Sequence, residues 1–334
     1  MNRRSAAAAI LAGSLLLTAG CDRSGRSGEQ PARSGSAATA AENRPEEQAA
    51  SSGRTSVDSG PWFYVRSIGG KGDEPGQFDA PVGLAVADDG TLYVSDTGNE
   101  RLQTVSADGQ PLDVWAEGIG RPMHLSLTDG GRLLVPVFLD DEIRIYDGPA
   151  EPVDRFGGDW VDAPAGVVQG PDGNYYVADF YNHRFHVVPP EGDVTRTVGG
   201  KGKDAGRFTY PTDIEVTPGG AVWVADAYAH RLQLFSPDGT HRRTVGGRGD
   251  TEPGTFHVAT GIDLGPEGRL YVADFKNHRV QVLRPSGEPV AVIEGGEEGD
   301  SAMTQPTDVV ATGEKLYVVD HGHDQIDVYR GSGD

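Results

Sequence analysis

A second cysteine is missing. Cys21 is the only one in the 334 residues, so no internal disulfide can brace the fold. No apolar run is long enough to cross a membrane comfortably. The longest, AAAAILAGSLLL at residues 6–17, falls short of the roughly 20 residues a spanning helix needs. Between Asp22 and about Gly60 large apolar side chains are almost absent, while Ser, Gly, Ala, Glu and Arg abound. Such a segment cannot offset its ordering entropy and reads as a flexible tether. Basic charge is scarce beyond it. The chain carries −21 overall, and seven Arg and six acids fall in residues 1–60, which leaves −22 on residues 61–334. A surface that acidic repels nucleic acid and anionic headgroups and argues against a nucleic-acid partner. Helical periodicity of any strength is also lacking after residue 20.

What the N-terminus does have is an export signal: Arg3 and Arg4, the apolar run, and small residues before Cys21. Leu17-Thr18-Ala19-Gly20-Cys21 resembles the lipobox of bacterial lipoproteins, with Thr18 where Leu is commonest. That resemblance implies cleavage before Cys21, lipidation of its thiol and anchoring to a membrane, facing the periplasm or cell exterior. Asp22 resembles the inner-membrane retention residue of enterobacterial lipoproteins. The expected organisation is a signal at 1–20, a tether at 21–60 after lipidated Cys21, and a folded, monomeric domain at 61–334.

The folded part repeats itself. VSDTGNERLQTV begins at Val94, VADFYNHRFHVV at Val177, VADAYAHRLQLF at Val224 and VADFKNHRVQVL at Val272, with weaker echoes at Val135 and Val318. The recurring Asp, or the residue aligned with it, is Asp96, Val137, Asp179, Asp226, Asp274 and Asp320, at separations of 41, 42, 47, 48 and 46 residues. Each unit reads as four short antiparallel strands, as in PTDIEV, AVWVAD, HRLQLF and THRRTV. Periods in the forties with four strands each are the signature of a β-propeller. The sixth unit lacks its fourth strand, and WFYVRSIGG at 62–70 looks like the fourth strands elsewhere. The expected fold is therefore all-β: six blades, the ring closed by the N-terminal strand completing the last.

The pattern of a Gly turn followed by apolar residues, V-A-D, N-H-R and another apolar run resembles the NHL repeat. Units 1, 3, 4 and 5 carry it well, unit 6 has Gln325 in place of Arg, and unit 2 has Val137 and Glu142 in place of Asp and Arg. A motif made six times is architecture rather than a catalytic site. The pairs Asp96/Arg101, Asp179/Arg184, Asp226/Arg231 and Asp274/Arg279 are expected to meet across hairpins, with Asn182 and Asn277 at left-handed turn positions. His183, His230 and His278 share one repeated place. GGKGD at 69, GGKGK at 199 and GGRGD at 246 recur where blades join and read as linkers, not phosphate loops.

Function in a propeller belongs where the repeats differ. The innermost strands begin with Gly83, His124, Gly166, Asp213, Gly261 and Asp308 in turn. His124, Asp213 and Asp308, from alternate units, can converge on the channel and hold a divalent cation, Zn, Ca or Mn, although Asp at this place can instead cap backbone N–H groups. The amidating lyase of peptide hormones is similar in fold and holds zinc with three channel histidines. Its ligand positions after Pro correspond here to Thr212 and Thr307, and His124 is one residue off, so that zinc set is not reproduced. At the hairpin tips Phe180, Tyr181, Tyr228, Phe275, Lys276 and His321 form a candidate partner-binding rim; packing on adjacent loops is the other use for them. With no assembled catalytic set, the expected function is a lipid-anchored, non-catalytic propeller binding a protein or peptide in the cell envelope. The alternative is a metal-dependent lyase or hydrolase at the channel, resembling the amidating lyase or lactonase-like propellers.

Overall fold

Short runs of alternating apolar residues, stopped by Gly, Asp and Pro turns, leave each segment too short for anything but a strand in a small sheet. The computed structural model describes residues 62–149, 151–295, 302–313 and 315–331; the signal, Cys21 and the tether lie outside these. Among the described residues the strands form six four-stranded antiparallel sheets, with no α-helix and only short 3-10 turns. No helix among them is long and apolar enough to cross a membrane. Blade 4 is typical: Pro211–Val216, Val222–Asp226, Arg231–Phe235 and His241–Gly246.

The six innermost strands are Leu84–Val86, Ser126–Leu127, Pro164–Gln169, Pro211–Val216, Ala259–Leu264 and Pro306–Thr312. Each touches the one before and the one after, and the last touches the first, so they form a closed cycle. As expected, Trp62–Gly69 is the outer strand of blade 6, paired antiparallel with Gln325–Gly331. Ser67 Oγ donates to Asp327 Oδ1 at 2.7 Å across that seam. The core lies between blades: Tyr176, Phe185 and Val187 of blade 3 pack with Ile214, Val224 and Phe235 of blade 4 and with Phe208 of the linker.

The recurring polar residues lock this packing. Asp274 is fully buried. Its Oδ2 accepts from Arg279 Nε at 2.9 Å, Gln281 Nε2 at 2.9 Å and Asn277 Nδ2 at 2.8 Å, and its Oδ1 from the His257 amide at 2.7 Å. The Arg279 fork also donates to the carbonyls of Thr251, Glu252 and Thr255 in the linker. The Arg–Asp contact recurs at 2.6 Å for Arg101–Asp96, 2.9 Å for Arg184–Asp179 and 2.8 Å for Arg231–Asp226. One expectation needs correction. The left-handed residue of the turn is His183 (φ 56°) and His278 (φ 55°), not the preceding Asn. The Asn182 and Asn277 amides are held by the Asp three residues back, which keeps them in the tight turn before the left-handed residue.

In five of the six blades the side chain of that left-handed residue staples the blade to the next. Nδ1 of His183, His230 and His278 accepts the backbone N–H of Tyr210, Val258 and Gln305 at 3.0–3.1 Å. In blades 2 and 6 Asp141 and Asp324 do the same for Ala163 and Ala80. An accepting Nδ1 requires the neutral ring. Burial, with Lys276 beside it, holds His278 below its ordinary value, against the opposing pull of Asp320 and Asp274. Its contribution is therefore complete above about pH 6.5 and is lost as pH falls through the lowered folded value. Replacing it with Asp, as blade 6 already has, should remove this dependence. Urea unfolding of wild type and His278→Asp at pH 7.5 and 5.0 should show wild type losing more stability than the variant on acidification.

Candidate functional site

The alternation noticed at the strand starts has a steric cause. A Cβ on Gly83 would sit 2.2 Å from Met123 O and 2.7 Å from His124 Cα. On Gly166 it would meet Asp213 Oδ1 at 2.6 Å and Cα at 2.9 Å, and on Gly261 it would meet Asp308 Oδ1 at 2.4 Å and Cα at 2.7 Å. Each odd blade thus gives up a side chain so that the next even blade can press His124, Asp213 or Asp308 into the centre.

The three candidate ligands do come together. They are 2 %, 7 % and 3 % exposed, and one ligating atom from each lies within 4.8 Å of the others. The acids are oriented by backbone. Asp213 Oδ1 and Oδ2 accept from Ile214 N at 2.9 Å and Ile262 N at 2.8 Å. Asp308 Oδ1 and Oδ2 accept from Val309 N and Leu84 N, both at 2.9 Å. The N–H capping weighed from the sequence is therefore present, and it ties blade 4 to blade 5 and blade 6 to blade 1. Each carboxylate oxygen keeps a second lone pair. His124 is different: neither ring nitrogen has a hydrogen-bond partner, and the nearest carboxylate, Asp308 Oδ2, is 3.5 Å from Nδ1.

Burial disfavours charge on His124, yet Asp213 and Asp308 together outweigh it and raise its pKa. Burial pushes Asp213 up to about 7, with His124 opposing and Asp308 adding. A second layer escaped sequence reasoning. Glu215 and Asp263, two residues along from Asp213 and Gly261, share their strand faces by the two-residue period. Burial raises both, Asp263 to about 7 and Glu215 well above its usual range, where Asp263, Asp213 and Asp308 add repulsion. Thr212 and Thr307 have ordinary structural jobs: Thr212 Oγ1 donates to Thr260 O at 2.8 Å and Thr307 Oγ1 to Pro81 O at 3.4 Å, each in the next blade.

The rim residues divide. Phe180, Phe275 and His321 are buried. Phe180 packs on Phe138, Tyr181 and Tyr210 at centroid distances of 5.6, 5.2 and 4.8 Å, and Phe275 lies 6.1 Å from His321. Lys276 is exposed over the Phe275 ring. Tyr181, Tyr210 and Tyr228 are only half-buried, and with Phe138 and Phe180 they make a continuous aromatic cluster over the tips of blades 2, 3 and 4. Blade 2, with its Val137, also borders a separate groove of about 430 Å³, lined by Trp115, Ile119, Arg144, Tyr146, Pro152 and Arg155 among others.

The family model described as "NHL repeat" matches residues 78–104, 162–188, 208–235 and 256–283, one segment in each of blades 1, 3, 4 and 5. Four of the six blades therefore carry an NHL repeat. Blades 2 and 6, outside those matches, are the ones that depart from the motif in sequence. Among curated proteins, human NHL-repeat-containing protein 4 is 28% identical over 74 residues, 22% of this chain and 60% of that protein, so the match spans less than two thirds of that relative. Among solved structures, virginiamycin B lyase of Staphylococcus aureus superposes with a TM-score of 0.59 at 13% identity, covering 81% of this chain and 99% of its own. A gluconolactonase of Xanthomonas campestris superposes at 0.61 and 15% identity, covering 82% and 98%. At such identities the likeness is one of fold. The same propeller architecture carries different chemistry in different proteins, so function has to be argued from this chain's own residues.

Proposed function

We propose that this NHL propeller is a non-catalytic binding module, tethered to the cell-envelope membrane through Cys21, that engages a protein or peptide through the tips of blades 2–4. The observation that carries this reading is the aromatic cluster with Tyr181, Tyr210 and Tyr228 half open at its surface. Tyrosines held by packing lose little further freedom on binding and offer both apolar area and a hydroxyl. The recurring polar residues, by contrast, are consumed by the fold. A lipid anchor and a tether of about 40 residues, reaching on the order of 35 Å if random, would suit a module that samples partners near a membrane.

A photo-crosslinking amino acid at position 181, in cells, should give a discrete adduct that weakens when Tyr228→Ala is added. The same group at exposed Asp89, on a different loop, should give none. No adduct at 181, or equal adducts at both positions, would sink the reading. The second reading, a metal-dependent lyase or hydrolase, is favoured by the convergence of His124, Asp213 and Asp308. The lyase and gluconolactonase named above are compatible with it. The near-complete burial of all three residues argues against ready access for a substrate.

A further inference from the structure

The centre of the ring holds an unusual imbalance. His124 is 2 % exposed and neither ring nitrogen has a hydrogen-bond partner. Buried polar atoms are nearly always satisfied, so two orphans on one ring call for a partner that is not a side chain. Around it stand two carboxylates whose directions are fixed by the backbone of neighbouring blades, and one atom from each of the three groups falls within 4.8 Å of the others. We infer that His124, Asp213 and Asp308 bind one divalent first-row transition ion, zinc or manganese, at the hub of the propeller.

The donor set selects the ion class. One imidazole nitrogen with two carboxylate oxygens suits zinc or manganese, whereas calcium asks for six to eight oxygens. The charge also balances: two acids facing one another in a dry site need about two positive charges, and the ion supplies them. A proton on His124 is the competing solution, supplying one charge and leaving the ring bonded to nothing better than the 3.5 Å contact with Asp308. The ion would stitch blades 2, 4 and 6 together. This inference does not depend on the binding function proposed above.

The discriminating substitution is His124→Leu. Because the ring makes no side-chain hydrogen bond, replacing it removes a ligand without breaking a bond, unlike Asp213→Ala, which frees two backbone N–H groups. The full chain, purified in detergent and stripped with chelator, should take up one equivalent of Zn²⁺ or Mn²⁺ by calorimetry and elemental analysis. Its melting temperature should rise, and Ca²⁺ should not substitute. His124→Leu should fold, weaken uptake at least ~100-fold and abolish the metal-dependent rise in melting temperature. Saturable uptake unchanged in His124→Leu, or no uptake by the wild type, would overturn the inference. In the second case the hub would hold a protonated His124 only.

Discussion

Gly83→Ala should destabilise the propeller by about 3–5 kcal/mol, at the upper end of what single substitutions do. The added methyl would meet Met123 O, His124 Cα and Leu125 N at 2.2, 2.7 and 2.9 Å, all of them backbone, so no side-chain rotation can relieve the clash. The two inner strands would have to separate, and because the six form a closed cycle the separation cannot be absorbed at a free edge. Gly166→Ala and Gly261→Ala should behave alike, the methyl meeting the Cα of Asp213 or Asp308 within 3 Å. Gly130→Ala is the control: its nearest neighbour, Thr128 Oγ1, is 3.8 Å away, and its cost should stay within about 0.5 kcal/mol. Urea unfolding of the four variants checks this; a Gly83→Ala curve overlaying the control would show that the hub is loose.

Asp274→Ala should cost about 3–5 kcal/mol. It removes the acceptor for four donors at once and leaves the Arg279 guanidinium, 3 % exposed, without its carboxylate. The two substitutions differ in character. Gly83→Ala strains the hub, whereas Asp274→Ala unpicks the outer half of one blade and its linker. Arg279→Ala, measured with Asp274→Ala and the double variant, should give a strongly non-additive cycle, since either single change strands a buried charge while the double does not. Additive costs would mean that the pair contributes independently and that water reaches the site.

The six blades were legible because a strand hairpin cannot vary its turn chemistry freely. Asp96, Asp179, Asp226 and Asp274 each accept from an Arg Nε and from a linker N–H, and that shared need writes a repeat into the sequence. The closing strand was legible for the same reason, as WFYVRSIGG had to pair like any fourth strand. The three central residues showed themselves only as exceptions to a repeat. Less visible was why they alternate with glycine, since the distance from Gly166 to Asp213 is a fact of blade packing and not of either segment. Glu215 and Asp263 were missed because an acid in a short exposed-looking strand resembles ordinary surface until the ring is closed around it. The left-handed histidines were misplaced by one residue because Asn is the usual occupant of that backbone conformation, and its capture by the preceding Asp overrides the preference. For the rim aromatics the sequence leaves partner contact and loop packing both open; Phe180, Phe275 and His321 are buried in packing, and the partly exposed Tyr210, two residues past the linker's Phe208, carries no signal in the repeat.

Glycine on one blade and a projecting side chain on the next makes the true repeating unit of the hub a pair of blades, although the sequence repeats blade by blade. Such a two-coloured ring tolerates only even membership. Inserting or deleting a single blade would set two projecting residues, or two glycines, side by side, giving a collision in one case and a void in the other. Growth of this ring by duplication should therefore proceed two blades at a time, and a circular permutant opened between blades 2 and 3 keeps every pair intact, whereas one opened between blades 1 and 2 divides a pair.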